Sequence, residues 1–202
     1  MLPVKSKYKI GKRLGAAVFE QCQTQKFALS EARFAKQKRG GRGGSDYGKQ
    51  LLEKQRVRYT YGLTEKKLSS YAEEAYVQAD PSKALHQSLE YRLDSATYRA
   101  GFATTRRAAR QMVSHGHITV NGTRSTIPSH RLKKGDVIAV KEGSRKGALF
   151  AHLGSPEAQS RPTPSWLKVD PALMKTEVTG EPAYVPAEVT LDYKVVFEFY
   201  SR

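Results

Sequence analysis

Cysteine, acidic residues and long apolar runs are all scarce in this 202-residue chain. A single thiol, Cys22, can form neither an internal disulfide nor a multi-cysteine zinc site. That excludes the oxidised extracellular scaffolds and favours a reducing compartment. No apolar stretch approaches the roughly 18 residues that cross a bilayer. Met1 to Arg13 is basic, but no apolar core or small-residue cleavage site follows, so it does not read as a secretory signal. Acids number 19 against 35 lysines and arginines, leaving a net charge of +16. Such a surplus points to a polyanionic partner, nucleic acid first and an anionic membrane surface second. Apolar residues make up 39%, enough for one or two small cores rather than one large enzyme domain. The chain has no phosphate-binding glycine loop of defined spacing, no nucleophile elbow and no metalloprotease helix. No catalytic activity and no cofactor are therefore expected.

The positive charge is unevenly placed. Residues 1–67 hold 17 basic residues against 5 acidic, residues 68–160 hold 13 against 8, and residues 161–202 hold 5 against 6. The N-terminal third is short of aliphatic residues as well, so residues 1–44 are expected to be a flexible basic extension. Within it, KQKRGGRGG (36–44) carries four glycines and four cations, a composition suited to moulding onto phosphates. A stretch from Asp46 to Tyr61 reads as a helix ending in Arg56, Val57, Arg58, Tyr59, Thr60 and Tyr61. Cations there suit phosphates and phenol rings suit bases, although the tyrosines could equally turn into a core.

Gly62 should stop that helix and Thr64 should cap the next, with Leu63 and Leu68 as a hydrophobic staple. Asp80-Pro81 ends the second helix, and Ser82 is placed to cap a third. The spacing of Leu85, Leu89, Leu93, Ala96 and Ala100 predicts that this third helix runs unbroken to Ala100. Another helix is expected between Thr104 and Gly116. Its Ala108, Ala109, Met112 and Val113 share one side, and Arg106, Arg107 and Arg110 share another. No acid lies between Asp94 and Asp136 to balance those arginines, and a helix N-terminus already attracts phosphate. Ile118 and Val120 alternate with polar residues before Asn121-Gly122, a type I′ hairpin signal. His115 and His117 lack a third ligand, so RNA contact or turn hydrogen bonds suit them better than a metal. The proline-rich tail reads as extended, with Trp166 filling a core and one strand at Val195 to Tyr200.

LEYRLDSATYRAGFATTRRAARQMVSHGHITVNG (89–122) and IPSHRLKKGDVIAV (127–140) closely resemble the small RNA-binding domain named after ribosomal small-subunit protein four. That domain also occurs in some pseudouridine synthases, a heat-shock RNA-binding protein and tyrosyl-tRNA synthetases. The flanks EKQRVRYTYGLTEKKL (53–68) and PSWLKVDP…VFEFYSR (164–202) resemble the bacterial-type ribosomal protein family itself. The resemblance implies an α+β fold. It comprises a helical part at 45–88 joined by the 156–202 tail, and an RNA-binding domain of two helices and a short antiparallel sheet at 89–155. It further implies a primary rRNA-binding protein that nucleates small-subunit assembly at a helical junction of the 5′ domain. Ribosomal protein five and messenger RNA near the entry channel would be neighbours, with an influence on accuracy. No membrane partner is implied. The location is a ribosome in the cytoplasm, with an organellar ribosome left open. Many bacterial members carry a zinc-binding cysteine cluster near the N-terminus, and the single Cys22 matches the zinc-free variant instead.

The resemblance carries RNA contact onto Arg92, Arg99, Arg106, Arg107, Arg110, His115 and Asn121. The full candidate set adds Arg39, Arg42, Lys49, Lys54, Arg56, Arg58, Tyr59, Thr104, His117, Lys133 and Lys134. Two alternatives use the same small domain. One is an RNA-modifying enzyme, for which no catalytic domain of sufficient size is left over. The other is a free RNA-binding regulator, which would not need the tail.

Overall fold

A computed structural model of the chain describes residues 4–37, 45–154, 163–186 and 189–202. The fold is α+β, helical in its N-terminal part and built around a five-stranded antiparallel sheet further along. The chain divides into two compact units, Met1–Leu85 with Tyr184–Arg202, and His86–Ala183.

The first unit contains α1 (Lys7–Leu14), α2 (Gln25–Gln37), α3 (Asp46–Thr60) and α4 (Glu65–Tyr76). The sequence predicts a flexible extension over residues 1–44, and among the described residues of that stretch the structure differs. Leu14, Val18, Phe19, Cys22 and Phe27 close a small core of their own. A bare backbone at Gly11 makes this possible, because a Cβ there would lie 2.8 Å from Cys22 Sγ and 3.2 Å from the Phe27 ring. Charge density hid five well-spaced apolar residues. Ser45 caps α3 by accepting from Gly48 N–H at 3.2 Å. The helix ends as its sequence indicates: Gly62 N–H donates to Tyr59 C=O and Leu63 N–H to Arg58 C=O, the paired bonds of a Schellman turn. Leu63 and Leu68 are both buried.

The expected strand at 195–200 is instead a helix, the terminal element of the chain, spanning Tyr193–Tyr200. Valine and phenylalanine favour strands, but two local facts override that preference. Asp192 accepts from Lys194 N–H at 2.9 Å and Val195 N–H at 3.4 Å, capping a helix. Tyr193, Val196 and Phe197 then fall on one buried stripe at helical spacing.

Helix α5 spans Pro81–Glu90, and Asp80 rather than Ser82 caps it, its carboxylate accepting from Lys83 N–H at 3.1 Å. The helix expected to continue to Ala100 breaks after Glu90. Tyr91 and Arg92 leave the helix, and α6 (Leu93–Arg99) begins afresh. A tertiary pairing makes the break. Leu132 N–H donates to Tyr91 C=O at 2.9 Å and Leu93 N–H to His130 C=O at 2.9 Å, around a bridge between Arg92 and Arg131. Helical periodicity reads straight through such a break because both helices bury the same side.

The second unit continues with α7 (Arg106–Ser114), β1 (Ile118–Val120), β2 (Thr123–Arg124), β3 (Val137–Val140) and a single turn α8 (Glu142–Arg145). After them come β4 (Leu167–Asp170) and β5 (Lys175–Val178), and the terminal helix becomes α9. The strand order is β2-β1-β3-β5-β4, antiparallel throughout, with Ile118 opposite Val140 and Val120 opposite Ile138. Asn121 and Gly122 both have positive φ, 51° and 80°, as the type I′ turn demands. The sequence predicts an extended tail with one late strand, yet residues 167–178 supply two strands of this sheet. Leu93, Ala96, Ala109, Met112, Val113, Ile118, Ile138 and Trp166 form the core beneath it. Burying each large aliphatic or aromatic side chain is worth about 1.5–3 kcal/mol, so this core fixes how α6 and α7 lie.

Candidate nucleic-acid interface

Thr105 opens α7, its hydroxyl accepting from Ala108 N–H at 3.1 Å, one residue later than a start directly after Thr104. Ala109, Met112 and Val113 face the core, as the helical wheel requires. The arginines on the other side are not free of acids. Glu90, at the end of α5, is 1% exposed and accepts from Arg99 Nε at 2.7 Å, Arg99 Nη2 at 3.0 Å and Arg106 Nη2 at 3.1 Å. Asp94, in the first turn of α6, accepts from Arg92 Nη2 at 2.7 Å and Nε at 3.0 Å, while Arg110 Nη1 stands 3.6 Å from it. Two carboxylates therefore hold four guanidiniums, and the cluster keeps a surplus of positive charge.

Burial pushes the Glu90 carboxyl up, but the guanidiniums of Arg106 and Arg99 outweigh burial and hold it well below the usual carboxylate range. His86, on the same helix, is pushed down by burial, which outweighs the attraction of Glu90. The site thus contains a charged carboxylate and a neutral imidazole at neutral pH.

The candidate residues separate by what their side chains do. Arg92 is 2% exposed and turned onto Asp94, so its charge is spent inside the fold and direct RNA contact does not suit it. Arg106 has a side chain only 13% exposed, paired to Glu90 and stacked 4.7 Å from the Tyr98 ring centroid. Arg99 has a side chain that is 38% exposed, the more open of the two arginines on Glu90. Arg107 and Arg110 are half-buried, and Thr104 and His115 are exposed. His117 Nδ1 lies 3.0 Å from Ser144 Oγ, a turn contact. Asn121 uses its amide internally: Nδ2 donates to Asp136 Oδ1 at 2.9 Å, and Oδ1 accepts from Val137 N–H at 2.8 Å. Asp136 also accepts from Lys133 N–H at 2.7 Å. One carboxylate thus ties the hairpin tip to the turn that presents exposed Lys133 and Lys134.

In the first unit several candidates serve packing. Lys54 is buried against Glu65 at 2.7 Å and lies 4.2 Å from the Phe199 ring centroid. Arg56 binds Leu14 C=O and Glu53, and Arg58 binds Leu63 C=O and Gln55. Tyr59 packs edge-on against Phe19, and Tyr61 is buried beside Tyr193. The tyrosines therefore turn inward. Lys49 stays exposed, its side chain 70% accessible beside Asp46. Arg39 and Arg42 lie outside the described residues. Among the described residues no cluster of three or more histidine, cysteine or acidic side chains could hold a metal ion, and no helix is long and apolar enough to cross a membrane.

The helix pair docked to a small antiparallel sheet carries a surplus of arginine, and residues 92–138 match the family model described as the S4 domain. Residues 4–90 match the ribosomal protein S4/S9 N-terminal domain, so the two matches meet at the break between α5 and α6. The chain is 41% identical over 200 residues to small ribosomal subunit protein uS4 of Roseiflexus sp. (strain RS-1), covering 96% of each. It is 40% identical over 207 residues to the uS4 protein of Oleidesulfovibrio alaskensis, covering 98% of this chain and 97% of that one. With the uS4 protein of Mycobacterium avium it shares 43% over 159 residues, 78% of this chain and 79% of that one. The chain belongs to the uS4 family of small ribosomal subunit proteins.

Glu90 and Asp94 were missed from sequence. The signal was present, since the two acids stand four residues apart just before the arginine-rich segment.

Proposed function

We propose that this protein is a non-enzymatic, structural RNA-binding component of the small ribosomal subunit that grips rRNA through the arginine-bearing side of α6 and α7. The observation that carries the reading is the four-guanidinium, two-carboxylate cluster, positive after its internal pairing is satisfied. Phosphate contacts made by such groups supply affinity without reading sequence. Arg99, Arg107 and Arg110 are the arginines placed to make them, with Thr104, His115, Lys133 and Lys134 as exposed companions and Arg39, Arg42 and Lys49 as a second set in the N-terminal unit. Attachment to a junction of the 5′ domain would come early and nucleate assembly. Ribosomal protein five and the incoming messenger would be neighbours, giving the protein leverage on accuracy.

Fractionation of cell extract over a salt series tests this. The protein is expected to sediment with small subunits at low salt and to be stripped progressively as salt rises. Sedimentation as free protein or with unassembled RNA at low salt would favour the regulator, the rival that shares this domain.

A further inference from the structure

We propose that Glu90 is a positioning residue of the RNA interface: its buried carboxylate holds Arg99 and Arg106 in one fixed arrangement and so presents a preorganised guanidinium edge to phosphate. The inference rests on the RNA-binding reading given above and deepens it.

A buried acid beside an anion-binding surface has an adverse charge for that task. Coulomb repulsion alone would make its removal favourable. Its geometry shows the opposite use. Glu90 Oε2 takes Arg99 Nε and Oε1 takes both Arg99 Nη2 and Arg106 Nη2. That is a forked pairing, which fixes the plane of the Arg99 guanidinium as well as its distance. Arg106 is further held by Ser95 Oγ at 3.3 Å and by the Tyr98 ring. An unrestrained arginine loses rotamer entropy when it docks on a phosphate, and one already fixed by a carboxylate loses less. The pair therefore behaves as a built surface. Arg106 is the inner brace and Arg99 the outer edge, and α5 is tied to α7 across the break at Tyr91 and Arg92.

The test uses the full-length protein and a transcript of the small-subunit rRNA 5′ domain, titrated at several salt concentrations. Glu90→Gln makes the chain one charge more positive, so electrostatics alone predicts tighter binding and a steeper salt dependence. Positioning predicts the reverse: affinity about tenfold weaker, the scale of one lost charged contact, with a shallower slope. Glu90→Asp keeps the charge but withdraws the carboxylate by one methylene. It is expected to weaken binding too, whereas electrostatics alone predicts no change. Circular dichroism and denaturant unfolding report whether each variant folds. Folded variants that bind as well as wild type or better overturn the proposal. If neither variant folds, the carboxylate serves the fold and the positioning role is likewise rejected. Arg107→Ala/Arg110→Ala separates the two levels of inference. Should that folded double variant weaken binding while the Glu90 variants do not, positioning alone fails. Should it also bind like wild type with an unchanged slope, the RNA reading of this face fails.

Discussion

Replacing Arg106 with alanine should destabilise the fold before it affects anything else. Alanine is the best helix former, so α7 loses no intrinsic propensity, and the apolar side with Ala109, Met112 and Val113 is untouched. What is lost is the brace. Glu90 keeps two hydrogen bonds from Arg99 but gives up the one from Arg106, and Tyr98 loses the cation above its ring. A hydrogen bond to a charged group is worth about 1.5–3 kcal/mol, and a partly buried cation over an aromatic ring adds about 0.5–1 kcal/mol. The two losses sum to about 2–4 kcal/mol, and the retained Arg99 fork keeps Glu90 from being left an unpaired buried charge, which typically costs about 3–5 kcal/mol. Lys134→Ala, in an exposed turn, should stay within about 0.5 kcal/mol of wild type. Urea unfolding followed by circular dichroism measures both. A midpoint for Arg106→Ala indistinguishable from that of Lys134→Ala would refute the brace, and Arg106 would revert to a solvated residue. An Arg106/Arg107/Arg110 triple alanine variant is therefore a poor probe of RNA contact, because one of its three changes acts on the fold.

Further expectations follow from single contacts. Asp192→Ala removes the two cap hydrogen bonds of α9 and should cost about 1 kcal/mol in the same unfolding assay. Gly11→Ala forces a Cβ against Cys22 Sγ and should destabilise the N-terminal core, by about 1–3 kcal/mol if the site cannot relax, with amide protection around Cys22 falling first. For pH, His86 has a folded pKa below its ordinary 6.5 and Glu90 one below its ordinary 4.5. In both cases the unfolded chain binds the proton more readily. Their stability contributions are thus complete above the ordinary values and lost on acidification, His86 first and Glu90 at lower pH. His86→Gln should flatten the upper step and Glu90→Gln the lower. Elemental analysis of purified protein should find no stoichiometric zinc, and one zinc per chain would contradict the assignment of Cys22 as a core thiol.

Local chemistry with a single solution was legible in the sequence. Asn121-Gly122 could only be a primed turn, Gly62 could only be a helix stop, and the stripe of Ala109, Met112 and Val113 had one buried side to choose. Features set by distant partners were not legible. The break at Tyr91 and Arg92 depends on backbone bonds to residues 130–132, while the apolar spacing on either side is continuous. Residues 167–178 became strands because β3 offered an open edge, and 193–200 became a helix because Asp192 capped it. At the candidate interface, residue type announced the arginines but not their duties. Arg92 and Arg106 look like Arg99 and Arg110 in sequence, and only the placement of Glu90 and Asp94 sorts inner from outer. In α3 the interleaved cations and tyrosines suggested RNA, yet Lys54, Arg56, Arg58, Tyr59 and Tyr61 all have partners within the fold.

Whether the α6 and α7 arginine surface binds rRNA phosphates is decided by one comparison. Wild type and a folded Arg107→Ala/Arg110→Ala variant are titrated against 5′-domain rRNA across a salt series. Weaker binding is expected for the variant, with a log affinity that falls less steeply with log salt, by up to about two units for two phosphate contacts removed. Equal affinity and equal slope for the two proteins would contradict it and move the RNA-binding surface away from this helix pair.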